Sequence, residues 1–220
     1  MPPFDSSINW YYIPDEIIER PIGKAIKALP MLEVITFSML LSYISYRIIR
    51  SVIATHYSES LLAAGVGVLS TQMFIIANYA GQFLRLDMST NLNISLQVIG
   101  LILICISVAL LFGTFISRRK MSQLVSFWGS TQMFIAQGVY GVIRHPIHLA
   151  GILAALGTAM MMANLIIVIL GLLASGAFYV ASKEEDRCSL ENLGHEYDRY
   201  MKAVPAFNVV LGIYKSHQNR

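Results

Sequence analysis

Residues Ile147 to Ser182 read IHLAGILAALGTAMMMANLIIVILGLLASGAFYVAS. One crossing of the hydrocarbon layer takes about 20 apolar residues. The run is too long for one crossing and a little short for two full crossings with a loop. Asn164, set between Met160-Met161-Met162 and Leu165, is the expected turn. The stretch should therefore fold as a helical hairpin whose arms need not both span completely.

What flanks the hairpin is polar. Before it stands Gly138-Val139-Tyr140-Gly141-Val142-Ile143-Arg144-His145-Pro146, with His148 just inside. Pro146 suits the first turn of a helix, where its missing N–H would have had no partner. His145 and His148, three apart, would share one helical face. After the hairpin comes Lys183-Glu184-Glu185-Asp186-Arg187. Taken alone, each cluster has an ordinary explanation: an arginine snorkelling at the membrane surface, or a solvated helix face. A hairpin, however, returns its end to the side where it began. The acidic cluster should then meet the Arg-His-Pro turn at the mouth of an apolar region, and ionisable groups at membrane depth point to function.

The rest of the chain agrees with a membrane setting. Of 220 residues, 55% are hydrophobic and only 13% charged, with a mean hydropathy of +0.59; soluble domains carry about 25% charged residues. Further spans are expected at about 31–49, 61–84 and 94–117. The predicted architecture is an all-α polytopic bundle of about five transmembrane helices, the last two forming the hairpin, with a cytosolic C-terminal helix. Three segments follow: an amphipathic stretch over 1–30 with no secretory signal, three transmembrane helices over 31–116, and a functional core over 117–220. Orientation follows the basic residues. Twelve (Arg47, Arg50, Arg118, Arg119, Lys120, Arg144, Lys183, Arg187, Arg199, Lys202, Lys215, Arg220) fall on one side and four (Arg20, Lys24, Lys27, Arg85) on the other. The polar cluster should face the cytosol, in a eukaryotic cell from the endoplasmic reticulum membrane. A net charge of +3 suits anionic headgroups rather than nucleic acid. Cys105 and Cys188 make neither a disulfide framework nor a metal knuckle. The hexamer Ser70-Thr71-Gln72-Met73-Phe74-Ile75 recurs at Ser130-Thr131-Gln132-Met133-Phe134-Ile135, thin support for a duplication.

Gly194-His195-Glu196-Tyr197-Asp198-Arg199-Tyr200, followed by Val204-Pro205, completes the pattern. By itself it is a short packing helix ended by a proline. In combination, the order Gly138-Val139-Tyr140, Arg144-His145-Pro146, Glu184-Glu185, Gly194 with Tyr197 and Tyr200, and Val204-Pro205 resembles the isoprenylcysteine carboxyl methyltransferase family and its phospholipid methyltransferase relatives, over roughly 117–207. The resemblance implies S-adenosylmethionine as cofactor. It implies cofactor contacts at Gln132, Met133, Phe134 and Ile135, at Tyr140, at His145, Pro146, Ile147 and His148, and at Glu185, with Glu184 as an alternative if the register slips by one. Three departures stand out: His148 replaces the family's usual Tyr, Gln132 replaces a common His, and the substrate-holding Arg of the prenylcysteine enzymes would fall at Ala181.

Methyl transfer from a sulfonium needs alignment and exclusion of water more than acid–base chemistry. The expected reaction is carboxyl O-methylation of a prenylcysteine or a terpenoid acid, with Glu185 facing the positive charge of the cofactor and Arg144 pairing with a carboxylate of the substrate or of Glu185. The alternative acceptor is a phospholipid amine or a small thiol. An amine must shed a proton, with His148 as the base. Partners should be a lipid-like or prenylated substrate and membrane lipids, with no nucleic acid and no metal. Five histidines are too few for a membrane oxygenase, and no His-Glu-x-x-His marks a zinc protease. A small transporter or assembly factor remains as a non-enzymatic alternative.

Overall fold

The computed structural model describes residues 21–53, 57–79, 86, 88–120 and 138–218, with side chains from residue 33 onward except at 79, 118, 120, 217 and 218. Among these residues the fold is all-helical: α1 Pro21–Ile53, α2 Tyr57–Tyr79, α3 Thr90–Lys120, a 3-10 turn Gly138–Gly141, α4 Pro146–Met162, α5 Leu165–Leu193, α6 His195–Ala203 and α7 Val209–Gln218. Residues 1–43 and 44–220 form two compact units. In the first, Ser38 and Ser42 hydroxyls donate to carbonyls four residues back. The second holds everything that follows.

Three helices among the described residues are long and apolar enough to cross a membrane: Tyr57–Asn78, Thr90–Ser117 and Leu165–Leu193. The expected count of about five is thus reached only by adding α1 and the short arm of the hairpin. That arm, α4, has 17 residues, a rise of roughly 25 Å against about 30 Å of hydrocarbon. The hairpin is lopsided. Its long arm does not stop at Ser182, where the apolar run ends, but carries the acidic cluster in helix as far as Leu193. Lys183 to Leu193 therefore belong to the long arm of the hairpin, and the chain leaves it only at Gly194.

The turn falls where the sequence places it. Ala163 takes a left-handed conformation (φ 46°), and the Asn164 side chain accepts hydrogen bonds from the backbone N–H groups of Ile166 and Ile167. Those first N–H groups have no partner within the helix, so an asparagine cap is valuable in an apolar layer. Hydroxyls inside the spans are satisfied by carbonyls as well: Thr71 donates to Gly67, Thr114 to Leu110 and Ser175 to Gly171.

Small residues set the helices close together. A Cβ on Gly157 would stand 2.8 Å from the Gly100 carbonyl, and one on Gly100 2.5 Å from that of Gly157. Ser107 reaches across the same seam to the Ala150 carbonyl at 2.7 Å. Such contacts drive helix association where lipid competes for apolar surface. On the other flank Phe178 packs against Gly65 and Gly151, in a core with Ala155 and Ala174. Gln72, fully buried on α2, donates its amide to the carbonyls of Ala155 on α4 and Ile167 on α5. These pairings run α3 antiparallel to α4 and α2 antiparallel to α5. The start of α2, the 3-10 turn and the end of α5 consequently gather at one end of the second unit.

Candidate functional site

That end holds the polar cluster. The 3-10 turn starts at Gly138, whose φ of +59° suits glycine and whose missing side chain leaves room for Ser117. From the turn the chain passes Arg144 and His145 into α4, with Pro146 at the first helical position and the His145 carbonyl accepting the first helical bond from Leu149. The backbone N–H groups of Arg144 and His145 point the other way and donate to the carbonyls of Pro205 and Ala206. The tail thus edges the turn.

Arg144 is buried and committed. Its Nη1 donates to the carbonyls of Met201 (2.8 Å) and Val204 (2.9 Å) at the end of α6, and its Nη2 to Asp186 (3.0 Å). A cation here also complements the negative end of a helix. The expectation that Arg144 pairs with Glu185 or an incoming carboxylate meets a different partner: the neighbouring acid has the guanidinium. Only Nε keeps a proton without an acceptor among the described residues, and it is buried.

Asp186 is the hub. Its Oδ1 accepts from His145 Nε2 (2.8 Å) and from the Tyr197 hydroxyl (2.7 Å), while Oδ2 takes Arg144. The opposite ring nitrogen of His145 lies 3.2 Å from Glu185 Oε2, and His148 Nδ1 lies 3.6 Å from the same oxygen. The two imidazoles meet edge to face, 5.3 Å between centroids, as their i, i+3 spacing requires. Burial pushes the His145 imidazole down. The hydrogen bonds to Asp186 and Glu185 outweigh it and raise the group to about 8, so at neutral pH both ring nitrogens donate. Burial and the bond to Asp186 hold the Tyr197 hydroxyl far above the ordinary tyrosine range, and it stays a donor. His145 and Asp186 are sealed, but Glu185 keeps 47% of its side chain open. The cluster presents one accessible carboxylate.

The donor atoms of His145, His148 and Glu185 lie within 4.8 Å of one another, a set that zinc accepts. A proton on His145 Nδ1 links that ring to Glu185 directly. Glu184, the alternative to Glu185, pairs with Arg187 on the same helix. Tyr140 offers its carbonyl to the Tyr200 hydroxyl at 2.8 Å, and Ile147 lies half-buried beside buried Pro146. Gln132, Met133, Phe134 and Ile135 lie outside the described residues, as does the second copy of the hexamer. Ala181, where the resemblance would look for an arginine, is fully buried.

Asp186 and Phe207 were not among the expected site residues. Phe207 lies 6.0 Å from the His145 ring and 6.1 Å from that of Tyr179, forming a wall of the cluster. Asp186 had a legible signal. The buried stripe Ala174, Phe178, Ser182 continues four residues on to Asp186, once α5 is allowed to run past the apolar residues.

Residues 96–193 match the family model described as phospholipid methyltransferase. Over that segment the chain is similar to the phospholipid methyltransferases. The match begins inside α3 and ends with the last residue of α5, so the Arg-His-Pro turn, the whole hairpin and the acidic pair lie within the matched segment; α6 and α7 follow it. No curated protein and no solved structure matches the chain. The protein is a lipid-related methyltransferase with helices built for a membrane.

Proposed function

We propose that the chain transfers a methyl group from S-adenosylmethionine to a lipid-borne acceptor at the cytosolic mouth of the α4–α5 hairpin. The observation that carries this reading is the arrangement of Glu185, His145 and His148, one open carboxylate backed by two buried imidazoles at the open end of the hairpin. The donor set fits the cofactor. Glu185 would take its ammonium or sulfonium charge, and Tyr140, His145, Pro146, Ile147 and His148 would line it, with Gln132 to Ile135 completing the contact. When bound, the cofactor supplies an activated methyl group. Asp186 fixes the ring of His145 and so aims Glu185; alignment of this kind is worth several kcal/mol, up to about 7–11 in the best intramolecular cases.

Of the two acceptor classes, an amine-bearing lipid headgroup fits better than a carboxylate. A carboxylate would want a free cation, but both terminal nitrogens of Arg144 are taken and Ala181 supplies none. An amine attacks only when neutral, so one proton must leave its nitrogen, and His148 beside Glu185 can accept it. The carboxyl reading predicts a base-labile ester, the amine reading a base-stable product. Membranes containing the protein, given methyl-labelled S-adenosylmethionine with phosphatidylethanolamine, a farnesylcysteine analogue and small lipid acids, should label the amine lipid stably. Base-labile label would restore the carboxylate acceptor. No label in any lipid would overturn the proposed activity.

A further inference from the structure

The C-terminal helix α7 carries an apolar face that the bundle does not use. Asn208 caps its start, its side chain accepting from the Leu211 N–H at 3.0 Å. Gly212 faces inward so tightly that a Cβ there would overlap the Val142 carbonyl oxygen. At 100° per residue, Val210 and Tyr214 lie opposite Gly212, with Ile213 and Leu211 on the flanks. Exposure follows that geometry: 80% for Val210, 61% for Tyr214, 48% for Ile213 and 40% for Leu211.

Three observations say what covers this face. Val142 lies four residues before Pro146, so α7 rests at the level where α4 enters the apolar layer. Through Phe207, 6.1 Å from Tyr179, the helix is continuous with the outward surface of α5, where Tyr179 and Val180 are each 49% exposed. Lys215 is held by the Lys202 carbonyl at 2.7 Å, which sets a cation beside the apolar face, as anionic headgroups favour. An amphipathic helix of this kind lies in the interface plane.

We infer that α7 is a membrane-surface helix: its apolar face inserts into the interfacial layer of the bilayer and thereby holds the preceding strap, Pro205 to Phe207, on the Arg-His-Pro turn. The strap connects the two directly. Pro205 and Ala206 accept the backbone N–H groups of Arg144 and His145, and Phe207 covers the His145 ring. A bilayer under α7 therefore orders the site. This inference does not depend on the chemistry of methyl transfer.

The test uses the full chain in phosphatidylcholine–phosphatidylglycerol vesicles. Val210→Trp, in a background with Trp10 and Trp128 replaced by Phe, should be quenched by lipids brominated near the headgroup end of the acyl chain. No quenching overturns the inference. Disulfide cross-linking of Val210→Cys between copies overturns it too, by making a second chain the occupant. For the coupling, the double variant Val210→Ser/Ile213→Ser should speed hydrogen exchange at the Arg144 and His145 amides roughly tenfold in vesicles and leave it unchanged in detergent. An unchanged thermal transition in detergent shows that the variant is folded. Equal exchange in vesicles for variant and parent removes the coupling.

Discussion

Removing the carboxylate of Asp186 should cost this protein more than any other single change at the cluster. The side chain is buried and accepts from three donors: the ring of His145, the hydroxyl of Tyr197 and the guanidinium of Arg144. In Asp186→Ala the Arg144 cation is left in a buried site with only two carbonyls. Breaking a buried ion pair from one side costs about 3–5 kcal/mol, a large share of the roughly 5–15 kcal/mol that holds a domain together. For a chain of this size each kcal/mol moves the unfolding temperature by about 2–4 °C, so the transition in detergent should fall by roughly 10 °C. Asp186→Asn keeps the shape and one acceptor, and should fall about half as far. Glu184→Gln, one turn face away and paired only with exposed Arg187, should not move the transition. If Asp186→Ala melts with the parent, the carboxylate does not tie the Arg-His-Pro turn to α5, and the site geometry argued above is wrong.

The remaining predictions concern His145, the open carboxylate and metal. His145 is raised from 6.5 to about 8. Its protonated form therefore contributes stability in full below about pH 6.5, and that contribution, about 2 kcal/mol for 1.5 pK units, is lost as the pH rises through about 8. Unfolding temperatures read between pH 6 and pH 9 should show the fall, and His145→Gln should flatten it. Glu185→Ala should weaken S-adenosylmethionine binding at least tenfold by calorimetry while lowering the unfolding temperature less than Asp186→Ala, because Glu185 is half open; parental affinity would take Glu185 out of the cofactor site. Treatment with a chelator should leave cofactor binding unchanged. Loss of binding restored by added zinc would instead make His145, His148 and Glu185 a metal centre.

The hairpin was legible because Asn164 is polar in an apolar run and is also a good cap, two independent reasons for a turn at one place. The shared end of the basic loops was legible because charge avoids the hydrocarbon. The extension of α5 was not. Hydropathy reports the surroundings of a segment, and Lys183 to Arg187 change the surroundings without ending the helix, since lysine, glutamate and arginine are good helix formers. The partner of Arg144 was hidden for another reason. Two of its three acceptors are carbonyls, at Met201 and Val204, and backbone oxygens carry no sequence signature. That the acidic cluster meets the Arg-His-Pro turn, by contrast, could be read from sequence, because a hairpin returns its end to the level where it began.

The buried amide of Gln72 reaches one carbonyl on each arm of the hairpin, and so acts as a latch across it. Prising the arms apart to let a fatty tail slide between them would strand that amide in hydrocarbon, at a cost of several kcal/mol. For the lipid acceptor proposed above, this latch would keep the greasy part to the outer flanks of the bundle and offer only the polar head to the mouth. An enzyme latched in this way should be indifferent to tail length and strict about the headgroup it methylates.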